Sequence, residues 1–227
     1  MNEPLALDWT GTVQSVVRSQ RNGPLIRAAA VLWIAAGDVV VDVTYGRGGF
    51  WTDYRPATLI AHDIATDGVD FRRLPEHDGT VDVVVFDPPY IAQGGRDTST
   101  VPDFLDRYGL TCAPTTTAGI FELVAAGMAE AARVLAPGGR LLVKCMDYVN
   151  GGELVLGHHH VVTTALALGL SQVDELVHVS GTGPQPEGRS QQHSRRAHTF
   201  LCVFRRGRWL DRGGIARRGE ALPVTPP

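Results

Sequence analysis

The feature that most constrains this 227-residue chain is the stretch 81–90, in which an apolar run ends at an acid, two prolines and a tyrosine. Its first six residues are mostly β-branched or aromatic and predict a buried strand. Pro88 and Pro89 cannot continue that strand, because proline lacks a backbone N–H and fixes φ. We therefore expect Asp87 and Tyr90 at the carboxyl end of the strand, where open α/β sheets form their ligand crevice. A strand followed by a simple Pro-Pro turn is the alternative interpretation.

Composition favours an ordinary α/β domain in a reducing compartment. Apolar residues make up 44% of the chain and charged residues 20%, and no apolar run reaches the ~18 residues of a membrane span. The first eight residues carry acids where an export signal has positive charge, so we expect no export signal. The three cysteines are widely spaced and odd in number (Cys112, Cys145 and Cys202). They predict neither disulfides nor a zinc site, and we expect a cytoplasmic protein.

Positive charge is concentrated near the carboxyl end of the chain. The net charge is −3, and Lys144 is the only lysine. Nine arginines lie between Arg189 and Arg218, against one acid, Asp211. A basic face on an acidic body fits phosphate binding, because the arginine guanidinium is a fork-shaped donor. An arginine-rich surface without a ligand explains the same pattern.

Strands and helices are predicted to alternate within one doubly wound domain. The expected strands are 39–43, 58–61, 81–86, 141–145, 173–179 and 199–204, and the expected helices are 25–34, 117–135 and 158–168. This order predicts a mostly parallel sheet with a C-terminal antiparallel hairpin. Residues 68–71 fit a short strand or a turn, and 91–115 form a long insertion with the composition of a lid or binding loop.

These elements divide the chain into an N-terminal extension (1–23), a single domain (24–206) and a basic, flexible tail (207–227). The histidines 158–160 are consecutive, and consecutive side chains on a helix point in different directions. We therefore expect no metal site there.

A glycine-bearing loop follows the first predicted strand and begins at Asp42. Gly46 and Gly48 allow the backbone to approach a ligand where a Cβ would clash. The loop is not a dinucleotide fingerprint, since Trp51 stands where the third glycine would be. A tight turn without a ligand is the alternative.

Acids end successive predicted strands beside this loop. Asp63 lies 21 residues after Asp42, where a carboxylate can accept hydrogen bonds from ribose hydroxyls. Asp70 lies near the end of the next short element, and Asp87 ends the fourth. Any one acid is explained as a cap, but four in register predict a nucleoside pocket.

Residues 24–205 resemble the class I S-adenosylmethionine-dependent methyltransferases, which have a Rossmann-like domain. They are most similar to the branch typified by adenine-N6 and cytosine-N4 DNA methyltransferases. Asp87 to Tyr90 match the catalytic motif of that branch, an Asp, Asn or Ser followed by Pro-Pro and an aromatic residue. The resemblance implies S-adenosylmethionine as cofactor and an amino nitrogen as methyl acceptor. Val43 and Thr44 replace the proline and the aromatic residue usual in the cofactor loop.

The resemblance also implies the site residues. Those expected to bind the cofactor are Asp42, Thr44, Tyr45, Gly46, Gly48, Asp63, Ile64, Asp70 and Phe71. Residues 195–204 resemble the closing strand of the DNA branch, so Arg195 and Arg196 are expected to bind substrate phosphates.

In the implied mechanism, the Asp87 carboxylate and the Pro88 carbonyl hold both hydrogens of an exocyclic amine, while Tyr90 stacks on the base. These groups direct the nitrogen lone pair towards the methyl group. We expect Asp87, Pro88, Pro89 and Tyr90 to be the catalytic residues.

Adenine N6 in DNA is the expected substrate, since cytosine-N4 enzymes of this type more often carry Ser at the first motif position. Cytosine N4 in DNA, and guanine N2 or adenine N6 in RNA, are alternatives. Protein glutamine methylation is disfavoured, because enzymes of that kind usually carry Asn at the first motif position, where this chain has Asp87. A catalytically silent nucleic-acid-binding protein is the alternative of a different class, and failure to bind S-adenosylmethionine would favour it.

Overall fold

A seven-stranded sheet forms the centre of the computed structural model, which describes residues 4–5, 7, 10–90, 114, 116–181 and 190–207. The sheet order is β1-β8-β9-β5-β4-β2-β3. The strands of this sheet are β1 (Val16–Arg18), β2 (Val39–Asp42), β3 (Thr58–Ala61), β4 (Val81–Phe86), β5 (Leu135–Cys145), β8 (Leu170–Val179) and β9 (His198–Arg206). Two short strands, β6 (Tyr148–Asn150) and β7 (Glu153–Val155), form a separate hairpin. The described α-helices are α1 (Gly23–Trp33), α2 (Thr117–Val134) and α3 (Gly157–Ala167).

The strand directions confirm the predicted fold class. Strands β3, β2, β4 and β5 are parallel neighbours, and β1 is parallel to β8. Strand β9 runs antiparallel to both β5 and β8. The domain is therefore a mostly parallel, doubly wound α/β sheet with a C-terminal antiparallel pair.

Alternate residues of β4 are buried against different helices, because side chains along a strand point to opposite faces. Val83 and Val85 belong to the core beneath α1. Val84 and Phe86 belong to the core beneath α2 and α3. All four side chains have no exposed surface, which explains why the sequence of β4 is continuously apolar. Burial on both faces fixes the end of β4, and hence Asp87, firmly in the sheet.

The structure differs from the sequence prediction at two places and decides between two alternatives at a third. Strand β1 lies in the segment expected to be an extension and pairs with β8. Strand β5 begins directly after α2, at Leu135, and includes residues expected to form a turn. Its register with β4 shifts between Val81 and Val83, so a bulge accommodates the extra residues. Residues 68–71 contain no strand and form an irregular turn.

Parts of three predicted segments lie outside the described residues. They are 91–113 and 115 of the long insertion, 182–189 of the late loop, and 208–227 of the basic tail. Among the helices that the structure describes, none has the length and apolar character needed to cross a bilayer.

We expect Gly127→Val to destabilise the domain. A Cβ at Gly127 would lie 2.6 Å from Phe86 Cζ and 2.8 Å from Phe71 Cδ2, so α2 would have to move away from β4. Overpacking of this kind lowers the free energy of unfolding by about 1–3 kcal/mol. Ala126→Val, at the neighbouring exposed position, is the matched control, with an expected change of at most about 0.5 kcal/mol. Equal stability of the two variants in urea denaturation would contradict this packing.

Candidate active site at the carboxyl edge of the sheet

The candidate site lies where the strand order reverses. Strand β2 is flanked by β3 on one side and β4 on the other, which makes the gap between β2 and β4 a topological switch point. Asp42, the last residue of β2, is opposite Val85, and Asp87 directly follows β4. Two of the four acids that the sequence singled out are thus neighbours at the position where such sheets bind ligands.

Asp42 anchors the glycine-bearing loop from below. Its carboxylate accepts hydrogen bonds from the Thr44 N–H at 3.0 Å and from Trp51 Nε1 at 2.7 Å. The side chain is only 2% exposed. Burial raises the pKa of Asp42 from 3.8 to about 7, and the nearby charges of Asp87 and Asp63 act in the same direction. Trp51, which sequence reasoning treated only as a missing glycine, is therefore a structural partner of the site.

A second carboxylate, that of Asp63, contacts the glycine-bearing loop. The Asp63 carboxylate accepts one hydrogen bond from the Gly46 N–H and one from the Ala65 N–H, each at 2.9 Å. Gly46 and Gly48 have φ of +52° and +73°, a region that side chains rarely adopt. A Cβ at Gly46 would meet no atom closer than 3.9 Å, and the nearest would be Asp63 Oδ2. The loop therefore leaves space next to a buried acid, as a ligand cradle requires.

One hydrogen bond joins this loop to the candidate catalytic motif. The Asp87 N–H donates to Thr44 Oγ1 at 2.8 Å. Thr44 is also bound to Asp42 through its own N–H, so Asp42, Thr44 and Asp87 form a continuous chain across the switch point. Sequence reasoning identified Thr44 as a departure from the usual loop and did not anticipate this contact.

Lys144, the only lysine of the chain, lies in the crevice. Its Nζ is 3.4 Å from Asp87 Oδ2 and 5.7 Å from the ring centroids of both Phe50 and Tyr90. The residue is 6% exposed. The sequence could not distinguish a lysine that faces the crevice from one that faces solvent. In the structure, the side chain faces the crevice. The ammonium group places a buried positive charge beside Asp87.

Other predicted site residues are arranged differently. The Asp70 carboxylate binds the guanidinium of Arg72, with Arg72 Nε 3.0 Å from each oxygen, and this contact lowers the pKa of Asp70. Phe71 is buried and packs on Phe86, with the ring centroids 5.0 Å apart. Ile64 is half-buried. Asp70 thus lies on a turn in an ion pair rather than at the end of a strand.

The two candidate phosphate-binding arginines precede β9. Because β9 is antiparallel to β5, its beginning lies beside the carboxyl end of β5, with Phe200 opposite Cys145. Arg195 and Arg196 are therefore at the same edge of the sheet as Asp87. Arg196 donates to the Ser194 hydroxyl at 2.6 Å.

A narrow pocket opens next to Tyr90, between the candidate motif and helices α2 and α3. One wall carries a ring stack in which the Phe121 and His160 centroids are 4.0 Å apart. Sequence patterns contained no signal for this pocket, because its walls come from distant segments. Its lining residues are mostly apolar: Pro88, Tyr90, Ile120, Phe121, Val124, Cys145, Gly157, His160 and Val161.

Comparison with known proteins gives structural resemblances only. No protein-family model matches the chain, and no curated protein matches it. A candidate DNA modification methylase from Thermus thermophilus, solved with S-adenosyl-L-methionine, is similar at 16% identity and TM-score 0.39, over 74% of this chain and 55% of that one. TrmN from Thermus thermophilus is similar at 16% identity and TM-score 0.48, over 81% of this chain and 48% of that one. The cyclase SpnF is similar at 12% identity and TM-score 0.48, over 80% of this chain and 79% of that one.

The chain spans about half the length of the methylase structures it matches. Similarities of this size assign no activity, and functional conclusions have to come from the residues of the site.

We expect Asp42 to make stability depend on pH. A buried carboxyl whose pKa rises from 3.8 to about 7 on folding stabilises the fold most below about pH 4, and this contribution is lost as pH rises to about 7. The free energy of unfolding should therefore fall relative to that of Asp42→Asn by on the order of 1–4 kcal/mol over this range. Urea denaturation of both proteins at several pH values measures the difference. A difference that is constant or increases with pH would contradict a protonated, buried Asp42.

Proposed function

We propose that this protein transfers a methyl group from S-adenosylmethionine to the exocyclic amino group of a nucleobase, namely adenine N6 in DNA. The observation that carries the proposal is the position of Asp87 to Tyr90. The motif follows a strand buried on both faces, lies at the topological switch point, and is hydrogen-bonded to the glycine-bearing loop through Thr44. Donor and acceptor sites are thereby adjacent.

The loop and its acids fit a nucleoside cofactor. Each oxygen of the Asp63 carboxylate accepts one backbone N–H and keeps a lone pair for a ribose hydroxyl. The space above Gly46 allows close approach of the ligand. When bound, the cofactor supplies the electrophilic methyl group, and the protein supplies position. We assign the cofactor site to Asp42, Thr44, Tyr45, Gly46, Gly48, Asp63, Ile64, Asp70 and Phe71.

Asp70 and Phe71 have indirect roles in this proposal. Asp70 shares its carboxylate with Arg72, so a contact to the adenine amino group would use a lone pair that Arg72 leaves open. Phe71 packs beneath the turn that carries Asp70 and fixes that turn against Phe86.

The catalytic step depends on two acceptors. The Asp87 carboxylate and the Pro88 carbonyl accept the two hydrogens of the target amine, which directs its lone pair away from the ring and towards the methyl group. Asp87 then takes the proton that the methylated nitrogen loses. Lys144, whose Nζ is 3.4 Å from Asp87 Oδ2, holds the carboxylate in one orientation.

Tyr90 provides the surface on which the target base stacks. Base–aromatic stacking contributes about 1–3 kcal/mol, comparable to the few kcal/mol needed to extrude a base from a duplex. Lys144 lies 5.7 Å from the Tyr90 ring centroid and supports the ring from the crevice side. Pro89 fixes the backbone between acid and ring.

Transfer to defined nucleic acids tests the proposal. The protein is incubated with methyl-labelled S-adenosylmethionine and, separately, unmodified DNA and RNA, which are then digested to nucleosides. N6-methyladenine from DNA is the expected product. Label confined to RNA, to cytosine or to protein would overturn the assignment of substrate, and absence of label together with absence of cofactor binding would favour a silent binding protein.

Asp87→Ala should abolish methyl transfer while changing the cofactor dissociation constant less than about threefold, because the side chain contacts the acceptor rather than the donor. The control is Asp78→Ala, which removes a carboxylate that is 79% exposed on the surface. Labelled-methyl transfer and calorimetry give the two quantities. Substantial transfer by Asp87→Ala would show that the mechanism is wrong.

Arg195→Ala and Arg196→Ala should each weaken DNA binding and lower the slope of log affinity against log salt concentration by about one. The effect should be the same on DNA of different sequences, since phosphate contacts carry no sequence information. Arg21→Ala, which removes an exposed arginine paired with Asp53, serves as the control. An unchanged salt slope in both variants would place the phosphate contacts elsewhere.

A further inference from the structure

Three side chains of types that can bind a metal ion lie close together, and none of them belongs to the candidate catalytic motif or cofactor loop. His158 is in the first turn of α3, Glu175 is in β8, and Cys202 is in β9. Glu175 and Cys202 are directly opposite each other in the β8–β9 pair. The three candidate ligand atoms, His158 Nε2, a Glu175 carboxylate oxygen and Cys202 Sγ, lie within 4.8 Å of one another.

A fourth donor adjoins this cluster. Cys145 Sγ, at the end of β5, is 3.9 Å from Cys202 Sγ, and both thiols are buried. The cluster therefore combines two sulfurs, one imidazole and one carboxylate from four different elements. The sequence predicted no metal site, because the histidines were considered together and the cysteines are far apart. The structure separates His158 from the other two histidines and brings it to Glu175 and Cys202.

The distances between donors are close to those of a zinc site. Zinc–ligand bonds of about 2.0–2.3 Å in a tetrahedral arrangement place neighbouring donor atoms about 3.3–3.8 Å apart. The Cys145–Cys202 sulfur separation is 3.9 Å, the Cys202 Sγ to Glu175 Oε2 distance is 4.0 Å, and the His158 Nε2 to Glu175 Oε2 distance is 2.7 Å. The ligand atoms of His158, Glu175 and Cys202 all lie within 4.8 Å of one another, and Cys145, whose sulfur adjoins Cys202, would turn its thiol towards the ion to complete the tetrahedron.

The surroundings also suit a bound ion. The imidazole of His158 stacks on Phe200 with the ring centroids 4.2 Å apart, and the His158 backbone N–H donates to Asp147 Oδ1 at 3.0 Å, so the residue has a fixed position. The side chains of His158 and Glu175 are 26% and 31% exposed, which leaves a path for entry from solvent. The buried thiols of Cys145 and Cys202 lie on the side of the cluster that faces the protein interior.

From this geometry we propose that Cys145, His158, Glu175 and Cys202 bind one zinc ion. Thiolate and imidazole donors favour zinc over magnesium or calcium, which prefer oxygen. Four protein ligands describe a closed, structural site rather than a catalytic one. The ion would fasten the start of α3 to β5, β8 and β9. Because Cys145 and Gly157 also line the pocket next to Tyr90, it would fix one wall of that pocket.

The test uses the full chain, produced without a histidine tag and freed of metal under reducing conditions. Zinc is titrated in competition with a chromophoric chelator, and cobalt is titrated separately to observe thiolate-to-metal charge transfer. We expect one zinc per chain and a cobalt spectrum with thiolate bands. Cys202→Ser and His158→Ala should each weaken zinc binding by about 100-fold, since the affinity is shared by four ligands.

His159→Ala is the matched control, because the neighbouring histidine is exposed and outside the cluster. It should bind zinc as the unchanged protein does. Less than one zinc per chain, thiolate bands of undiminished intensity in Cys202→Ser, or equal losses in His158→Ala and His159→Ala would each overturn the proposal. A His158–Glu175 ion pair over two thiols, without a metal, would then explain the cluster. None of these readouts involves methyl transfer, so the zinc site is tested independently of the proposed function.

Discussion

The hydrogen bond from the Asp87 N–H to Thr44 Oγ1 joins the two halves of the site. On one side of this bond, Thr44 is fixed to Asp42 and through it to Trp51. On the other side, two prolines transmit the position of Asp87 to the Tyr90 ring. Both loops leave neighbouring parallel strands, so a single short contact sets the distance between the glycine-bearing loop and the candidate acceptor motif. The proposed methyl transfer would depend on close alignment of the reacting atoms, and in our proposal this contact contributes to that alignment.

The same edge of the sheet concentrates negative charge. Asp42, Asp63 and Asp87 lie close enough for their charges to raise the pKa of Asp42. Buried like charges are unfavourable unless they are protonated or neutralised. Protonation of Asp42 relieves part of the repulsion, and Lys144 neutralises part of the remainder. The positive sulfonium of the proposed cofactor would relieve it further, which links the charge of the site to its proposed ligand.

Local patterns in the sequence predicted the centre of the fold well. Strands β3 and β4 have the predicted limits, because an apolar run between polar or proline residues is sufficient to define them. The position of Lys144 was not predictable, since a lysine near the end of a strand gives the same sequence pattern whether its side chain faces solvent or a crevice. Strand β1 was missed because three residues without strong periodicity depend on the edge of β8 for their conformation. The cluster around Cys202 depends on pairing between strands distant in sequence, which no spacing rule captures.

The most direct measurement compares Thr44→Val with Thr44→Ser in single-turnover methyl transfer to DNA, together with the dissociation constant of S-adenosylmethionine. Valine has the shape of threonine without the hydroxyl, whereas serine keeps the acceptor. Loss of one hydrogen bond of about 1–1.5 kcal/mol predicts a transfer rate about tenfold lower in Thr44→Val, with the rate largely retained in Thr44→Ser. Both variants keep the Thr44 backbone, which is the part assigned to the cofactor site, so the two should bind S-adenosylmethionine alike. Equal transfer rates in the two variants would contradict the proposed role of the Thr44–Asp87 contact.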